Sequence, residues 1–292
     1  MPEPVSIIIP AHNEEKVLAT TLAPLLPGVT DGSVEVIVVC NGCSDRTAEV
    51  AGAEHPAIIC LNTPLASKTH ALNLGEAKAH WFPRIYQDAD VVLTLDAVHR
   101  LAAALQRGPC LAAAPAMRMD LRHASWAVRS YYDIWQRLPY VREGMIGCGV
   151  YALSVQGRKR FSVFPDIIAD DGYVRALFKS HERTVVPECW SLVRAPRNLA
   201  GLLKIKARSR RGRYELARVF PELLANEKKN YGAAVLPLLT LWPKLAVYLF
   251  VNLCARLLAR KGQQRGNDHW ERDESSRDGV PRQEAGAKEE GP

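Results

Sequence analysis

Apolar, β-branched runs alternate with segments of helical periodicity at the start of the chain, and this alternation restricts the fold most. A run over 5–9 precedes apolar residues at helical spacing over 14–26, and a second run over 35–40 precedes a helical segment over 46–53. Such fully apolar runs are typical of buried parallel strands, and the intervening helices cover the sheet on both faces. The sequence therefore predicts an α/β fold with three layers, α/β/α.

Polar residues follow the predicted strands. We expect Pro10 to end the first strand and Asn13 to cap the first helix. Polar clusters occupy 10–14, the turn 41–45 and the segment 88–90. Because such sheets bind ligands at the carboxyl ends of their strands, these clusters are predicted to meet at one edge.

Later elements are predicted from their start signals. They are a helix over 97–107 capped by Asp96, a strand over 150–154 entered through Gly147 and Gly149, and a helix over 173–179 capped by Asp170 or Asp171. Beyond them come a basic amphipathic segment over 199–218, a strongly apolar one over 233–258 and a charged tail. We expect a main domain over 1–215, an apolar helical membrane-associated extension over 216–261 and a disordered tail over 262–292.

The composition is that of an ordinary globular protein. A chain of 292 residues with 48% hydrophobic content can bury one large core. The first residues lack a basic region, and their apolar run is too short for a signal peptide, so a cytosolic location is expected. The seven cysteines are scattered and odd in number, which argues against a disulfide framework. Cys40 and Cys43 have zinc-like or redox spacing but no second pair, so we interpret them as the end of a buried strand.

The formal net charge of +7 suits nucleic acid, an anionic membrane or an anionic substrate. The basic residues concentrate over 204–213 and around the last apolar segment, rather than on the aromatic-rich face that single-strand binders use. We therefore expect no nucleic-acid partner.

The apolar segment 233–258 is long enough to cross a bilayer, but Pro243 and Lys244 divide it into halves too short to span. Basic residues flank both ends, so the positive-inside rule gives no orientation for a single crossing. The sequence predicts monotopic attachment to the inner face of the membrane, with Trp242 and Tyr248 at the headgroup level and the basic stretch facing anionic lipid. The alternative is a helix packed on the catalytic core of a soluble enzyme.

Asp88 and Asp90 are the first candidate site. Two carboxylates two residues apart at a strand end can both supply hard oxygen ligands to Mn²⁺ or Mg²⁺. Such a cation would neutralise a diphosphate leaving group. An isolated pair of this kind also fits a polar turn, so the neighbouring segments decide between the two interpretations.

The neighbouring segments follow one another in a characteristic order and spacing. They read SIIIPAHNEE, VIVVCNGCSDRTAEVA, SKTHALNLG and DAD, followed by GCGVYALS and FPDIIADDGYVRALF. Together they resemble the family-2 glycosyltransferases of GT-A fold, over residues 4–215. The resemblance implies inverting transfer of a single sugar from a nucleotide-sugar donor, a UDP-sugar being favoured, with Mn²⁺ or Mg²⁺ as cofactor. It makes residues 1–215 the catalytic domain.

The resemblance assigns the nucleoside side of the site. Pro10, Ala11, His12 and Glu14 would line the nucleoside pocket, with His12 near the base. Asn41 lies where many members that use UDP-sugars carry an aspartate that accepts the uracil N–H. An amide can donate or accept there, so the base identity stays open.

The diphosphate and the metal are assigned in the same way. Lys68 would lie beside the diphosphate, where a flexible point charge is suited. Asp88 would face the ribose or the metal, and Asp90 would be the direct metal ligand. No third protein ligand is indicated. Asp45 is interpreted as shaping its turn by bonding its own backbone.

Asp170 and Asp171 match the acidic pair that the family places at a helix start below the acceptor. By its position in the motif, Asp171 would remove the acceptor proton as that oxygen attacks the anomeric carbon, which gives inversion, and Asp170 would support it. Gly147 and Gly149 would let the backbone approach the sugar or the acceptor closely.

The segment RRGRY at 210–214 resembles, with substitutions, a Gln-x-x-Arg-Trp element of processive members. Arg210 or Arg213 would contact the departing diphosphate, although a solvated basic face is an alternative. The expected partners are the donor, a lipid-linked or saccharide acceptor and a membrane surface. Two other functions remain open: a nucleotidyltransferase, disfavoured because no glycine-rich loop follows the first strand, and a non-catalytic basic binding module.

Overall fold

A computed structural model describes residues 3–142, 144–145, 147–227 and 236–264. The strands are β1 (Val5–Ala11), β2 (Val34–Asn41), β3 (Ile59–Thr63), β4 (Arg84–Gln87), β5 (Val92–Leu93), β6 (Ala112–Asp120), β7 (Val150–Leu153) and β8 (Arg183–Arg194). The helices are α1 (Leu18–Leu22), α2 (Leu26–Thr30), α3 (Thr47–Glu54), α4 (Lys68–Glu76), α5 (Leu95–Arg107), α6 (Trp126–Trp135), α7 (Pro139–Arg142), α8 (Val155–Arg158), α9 (Asp170–Ala176), α10 (Leu199–Val219) and α11 (Trp242–Gln264). Short 3₁₀ helices lie at Ala23–Leu25, Ser180–Glu182, Pro221–Glu227 and Leu236–Leu241.

The described strands form one mixed sheet in the order β3-β2-β1-β4-β7-β6-β8-β5. The first four strands are parallel, as predicted, and β1 pairs with β2 from Val5 opposite Val34 to Ala11 opposite Cys40. β7 runs antiparallel to β4 and β6, and β5 runs antiparallel to β8. The α/β fold with helices on both faces is therefore confirmed, although the sheet is not wholly parallel.

Alternate residues of β1 enter different cores. Ile7 and Ile9 pack on one side of the sheet, and Ile8 packs on the other, all three fully buried. Complete burial of each such side chain stabilises the fold by about 1.5–3 kcal/mol. A third core joins α6, α10 and α11, so the C-terminal helix packs on the main domain.

Two boundaries at the start of the chain differ from the prediction. β1 continues through Pro10 to Ala11, because both residues still pair with β2. The pairing of β1 with β4, on its other side, ends at Ile8. Asn13 does not cap a helix. It has a left-handed φ of 53°, its side chain accepts a hydrogen bond from the Ser44 amide, and α1 begins only after Val17.

Two predicted caps are also wrong. Thr94, not Asp96, caps α5, since its hydroxyl accepts from the amide of Ala97. Neither Asp170 nor Asp171 caps α9: both are helical residues of its first turn, and the N-cap position lies at Ala169. Both carboxylates are thus available for contacts other than capping.

The predicted division of the apolar segment lies next to an observed boundary, because a 3₁₀ helix, Leu236–Leu241, ends where α11 begins at Trp242. The helix after that boundary is, however, longer than the sequence indicated. Pro243 lies in the first turn of α11, where a missing amide costs no helical hydrogen bond, and the helix then runs for 23 residues, or about 34 Å. In the described part of the chain, only Leu238–Lys261 is long and apolar enough to cross a membrane, by length and composition. Residues 233–235 of the predicted apolar segment and 265–292 of the predicted tail lie outside the described ranges.

Candidate active site

A cavity at the carboxyl ends of β1 and β4 brings several predicted residues together. Its lining includes Pro10, Lys68, Asp88, Gly147, Gly149, Asp170 and Asp171. Five segments that are far apart in the chain supply these residues. The convergence predicted from the strand ends is therefore present, with additional contributions from the starts of α4 and α9.

Lys68 is the centre of the cavity's charged groups. Ser67 caps α4 by accepting from the amide of His70, which places Lys68 at the first helical position. The Lys68 Nζ lies 2.8 Å from Asp88 Oδ1 and 3.1 Å from Asp170 Oδ1. One ammonium thus joins the turn after β4 to the start of α9.

The charges in this group perturb one another. Burial raises the pKa of Asp88 and of Asp170, and Lys68 opposes that effect. Burial alone would lower the pKa of Lys68, but attraction to Asp170 and Asp88 outweighs it and raises the pKa above the ordinary lysine value. The ammonium is consequently held in its charged form.

Asp170 and Asp171 differ in their surroundings although they are adjacent. Asp170 is 3% exposed, and its Oδ2 has no hydrogen-bond partner among the described residues. Asp171 is exposed at the cavity, and its Oδ1 accepts from the amide of Gly172 at 2.7 Å. The buried residue is held by Lys68, whereas the exposed one remains accessible to an incoming molecule.

Both rim glycines have left-handed backbone and close neighbours. Gly147 has φ +67°, and a Cβ there would lie 2.7 Å from Cη2 of Trp135. Gly149 has φ +62°, and a Cβ there would lie 3.2 Å from Asp88 Oδ2. Side chains at either position would therefore be strained and would crowd the cavity wall.

The predicted nucleoside residues lie beside the cavity, at the ends of β1 and β2. Asn41 is fully buried, and its side-chain amide donates to the carbonyl of Ala11 at 2.8 Å. Within the part of the chain that the structure describes, its Oδ1 has no hydrogen-bond partner. The His12 ring is hydrogen-bonded through Nδ1 to the backbone carbonyl of Asn41. Of this predicted set, Pro10 lines the cavity itself.

Two neighbouring acids have structural contacts. The backbone amide of Glu14 donates to Thr47 Oγ1 at 2.7 Å, and its carboxylate is buried. Asp45 Oδ1 accepts from the amide and the hydroxyl of Thr47, which confirms that Asp45 shapes its turn.

The basic stretch on α10 is not part of the cavity lining. Arg210 donates to Asn252 Oδ1 of α11 at 3.0 Å, and Arg213 is exposed. Tyr248, which was predicted to lie at a membrane surface, stacks on Tyr131 with ring centroids 5.1 Å apart. Trp242 is 71% exposed.

The sequence interpretation missed two polar residues of the cavity wall. Gln87 and Tyr151 are both buried lining residues. No described residue forms a hydrogen bond with Gln87 Oε1 or with the Tyr151 hydroxyl. Gln87 Nε2 donates to the carbonyl of Val91 at 2.8 Å. A glutamine at the end of a short apolar strand, directly before Asp88, is the signal that could have indicated it.

The fit of a divalent metal depends on its oxygen ligands. No group of three His, Cys, Asp or Glu side chains within the described ranges is arranged to hold a metal alone. Asp88 lines the cavity and Asp90 lies two residues further, half-buried and outside the lining. Mg²⁺ sites in phosphate-binding enzymes often use one or two carboxylates and take the remaining oxygens from phosphate and water. The acidic residues here fit that kind of site.

Solved structures with a similar fold are glycosyltransferases. The mannosyltransferase PcManGT from Pyrobaculum calidifontis, in complex with GDP-Man and Mn²⁺, is 19% identical with a TM-score of 0.59, over 90% of this chain and 76% of that chain. Glucosyl-3-phosphoglycerate synthase from Mycobacterium tuberculosis, in complex with Mn²⁺, UDP and glucosyl-3-phosphoglycerate, is 19% identical with a TM-score of 0.53, over 74% of this chain and 80% of that chain. At these identities the likeness establishes the fold.

The family is established by sequence. No curated protein matches the chain significantly. The model of the family described as "Glycosyl transferase family 2" matches residues 6–152, from β1 to β7, half of the chain. This match includes Lys68, Asp88 and Asp90 and ends before Asp170 and Asp171. The chain therefore belongs to glycosyl transferase family 2, and its GT-A fold agrees with that membership.

Proposed function

We propose that this glycosyltransferase moves a single sugar, with inversion, from a nucleotide-sugar donor to a lipid-linked or saccharide acceptor at a membrane surface. The observation that carries the proposal is the cavity in which Lys68 joins Asp88 to Asp170, with Asp171 exposed beside them. Lys68 supplies a fixed positive charge for a diphosphate, and the carboxylates supply oxygen ligands and a base.

The donor diphosphate occupies the end of the cavity near Lys68 and Asp88. Asp90, with Asp88, would hold Mn²⁺ or Mg²⁺, which when bound neutralises charge that develops on the departing diphosphate. Lys68 orients the same diphosphate and keeps its charge because two carboxylates raise its pKa. The Mn²⁺ in the PcManGT complex supports a metal of this kind.

Asp171 is the general base of the proposed reaction. Its exposed carboxylate accepts the proton of the acceptor hydroxyl while that oxygen attacks the anomeric carbon on the face opposite the diphosphate. Asp170 cannot take this role equally well, since it is buried against Lys68. Asp170 instead positions Lys68, which agrees with the division of roles expected from the motif.

A UDP-sugar is the preferred donor in this proposal. The Asn41 amide N–H₂ already donates to Ala11, so the group of Asn41 that remains for a ligand is the acceptor Oδ1. The uracil N3–H is a donor of matching type, as are the N–H groups of guanine, so the donor panel below decides between the two bases. His12, fixed on the Asn41 carbonyl, and Glu14 support this side of the pocket.

The membrane context rests on α11. One face of this helix packs on the main domain through Val251, Ala255 and Ala259, which are fully buried. The opposite face exposes Leu249, Phe250, Leu253, Leu257 and Leu258. Such a contiguous apolar surface is typical of a membrane or protein contact. We propose that α11 lies on the inner face of the membrane and that the catalytic domain remains in the cytosol.

The purified protein, incubated with UDP-, GDP- and dTDP-sugars and Mn²⁺, tests the donor and the metal. We expect nucleotide release from a UDP-sugar that a chelator abolishes. Release from a GDP-sugar alone would overturn the base assignment, and release that is unaffected by chelation would overturn the metal assignment. No release from any donor, with or without membrane extract as acceptor, would contradict catalysis by this site.

A further inference from the structure

A half-buried lysine outside the cavity lining contacts three aromatic rings. The Nζ of Lys206, on α10, lies 4.3 Å from the ring centroid of Trp135 and 5.1 Å from those of Tyr131 and Tyr132. All three rings belong to α6. We refer to these three rings as the aromatic cage of Lys206.

The cage provides no counter-charge. No carboxylate among the described residues pairs with Lys206, and burial lowers the pKa of this lysine to about 7. Cation–π contacts contribute about 0.5–2 kcal/mol, and the half-buried ammonium has lost part of its hydration without gaining a counter-charge. An ammonium has three donors, and aromatic faces offer them no lone pairs. An anion beside the Lys206 Nζ would supply the counter-charge that the rings lack.

The cage shares a side chain with the rim of the active-site cavity. The indole of Trp135 contacts Lys206 and also lies under Gly147, where a Cβ would be 2.7 Å from Cη2. The indole Nε1 donates to the hydroxyl of Tyr140 at 3.1 Å, which fixes the ring. One immobilised ring thus separates the lysine from the wall of the cavity, on the side assigned to the acceptor.

Helix α11, which has the exposed apolar face, packs against the aromatic cage. Tyr248 of α11 stacks on Tyr131, and Asn252 of α11 accepts from Arg210, one turn beyond Lys206 on α10. The side chains of Phe250 and Leu253 on the same helix are 55% and 56% exposed. A polar cation site therefore lies between the cavity rim and an apolar surface.

We infer that Lys206 and its three rings bind a phosphate group of the acceptor, beside the cavity in which the sugar is transferred. The lysine supplies a compact charge with three donors for the phosphate oxygens, and the fixed Trp135 sets the distance between that phosphate and the reacting hydroxyl. The inference rests on the proposed function for the identity of the acceptor side. The phosphate belongs either to a lipid or to a soluble phosphate ester.

The first experiment measures Lys206 directly. The full chain is labelled with [ε-¹³C]lysine, and the resonance of Lys206 is assigned by its loss in Lys206→Met. Inorganic phosphate is expected to raise the titration midpoint of Lys206 by about one pH unit, because an anion stabilises the charged lysine. The exposed Lys159 provides the control resonance and should not shift.

The second experiment identifies the source of the phosphate. Binding is measured to phenyl phosphate, and to phosphatidylcholine vesicles with and without phosphatidic acid. Lys206→Met should weaken binding to the recognised probe about tenfold, Lys206→Arg should restore most of it, and Lys159→Met should leave it unchanged. A loss confined to phosphatidic acid vesicles indicates a lipid phosphate, and a loss confined to phenyl phosphate indicates a soluble ester.

The inference is overturned if inorganic phosphate leaves the Lys206 titration unchanged and Lys206→Met binds both probes like the wild type. The NMR measurement on the wild-type chain remains decisive if Lys206→Met fails to fold, with the resonance then assigned through Lys206→Arg. The proposed function fails by a different result, namely no nucleotide release by the wild-type protein. The two failures are therefore distinguishable.

Discussion

The carboxylates near Lys68 have different surroundings, and the roles that we propose for them differ accordingly. Asp170 is buried and holds the ammonium, Asp171 is exposed, and Asp88 forms the other side of the ion pair. Three acids of one residue type can thus act as positioning group, base and ligand. Substitutions that preserve shape separate these roles.

We expect Asp171→Asn to retain donor affinity and to lose sugar transfer about a hundredfold or more, since a general base is removed while the binding site remains. Asp170→Asn should reduce transfer less and weaken donor binding, because Lys68 loses one of its two carboxylates. Steady-state kinetics with the donor identified by the panel measures both. A larger loss of transfer in Asp170→Asn would exchange the two roles.

Asp90→Ala should abolish the metal dependence of nucleotide binding without unfolding the domain. Calorimetric titration of the nucleotide with and without Mn²⁺ measures the effect. The exposed Asp96 provides a control, since Asp96→Ala lies on α5 in contact with Arg100 and should leave the titration unchanged. If Mn²⁺ still strengthens nucleotide binding in Asp90→Ala, the metal assignment is wrong.

Lys68→Met should destabilise the protein by about 1–3 kcal/mol at pH 7, because the carboxylates of Asp88 and Asp170 lose their partner in a partly buried site. Both carboxyl groups already have raised pKa values. The folded variant therefore binds more protons than the unfolded chain just above the ordinary aspartate pKa, and its stability falls as the pH rises through that window.

Denaturant unfolding at pH 4 and pH 7 measures this difference. The deficit of Lys68→Met relative to the wild type should shrink at pH 4. Lys78→Met, at an exposed position beyond the end of α4, should change the free energy of unfolding by less than about 0.5 kcal/mol at either pH. A deficit that is equal at both pH values would show that charge is not its cause.

At the scale of elements, the first residues of α4 and α9 place the charged side chains of the site. Helix α11 packs on the main domain and carries an exposed apolar face. Ser67 sets the first residue of α4, so Lys68 points at the cavity, and α9 begins with the two aspartates. α11 packs on α6 and α10 with one face and exposes apolar side chains with the other. The two faces of α11 predict separable effects of mutation.

The triple substitution of Phe250, Leu253 and Leu257 by Gln should reduce vesicle binding at least tenfold with little change in stability, since these side chains are exposed. Cosedimentation with anionic vesicles measures binding. Gln at the exposed Leu65, Trp126 and Val163 is the matched control and should leave binding unchanged. Equal binding by both triple variants would exclude α11 as the membrane contact.

At the scale of the whole molecule, the packing of α11 bears on the membrane contact that we propose for it. The helix is long enough to span a bilayer core of about 30 Å. A crossing, however, would remove Val251, Ala255 and Ala259 from their buried contacts with the main domain. Lys244 also pairs with Asp133 of α6 at 2.5 Å. These contacts favour a helix that lies along the surface.

Protease treatment of sealed inside-out vesicles tests this arrangement. We expect the catalytic domain and a C-terminal epitope tag to be digested together, because both lie on the cytosolic side. A protected tag with a digested catalytic domain would establish a crossing. Recovery of all the protein in the soluble fraction would contradict a membrane contact.

Local patterns predicted those features of the fold that depend on neighbouring residues. The runs that became β1 and β2 and the basic segment that became α10 are evident from periodicity. The antiparallel direction of β7 is not, because four apolar residues carry no sign of strand direction. Pro243 marks the start of α11 to within one residue, but the length of α11 is not evident from the apolar pattern, because the helix continues beyond the apolar segment to Gln264.

The sequence by itself determined the family, the class of fold and the chemical types in the site, because the motif residues and their strand-end context are local. Only the tertiary structure decided that Lys68 contacts both Asp88 and Asp170, which are 82 residues apart. The aromatic cage of Lys206 likewise depends on the packing of α10 against α6. Contacts of this kind follow from how distant segments pack, and no local pattern of residues encodes them.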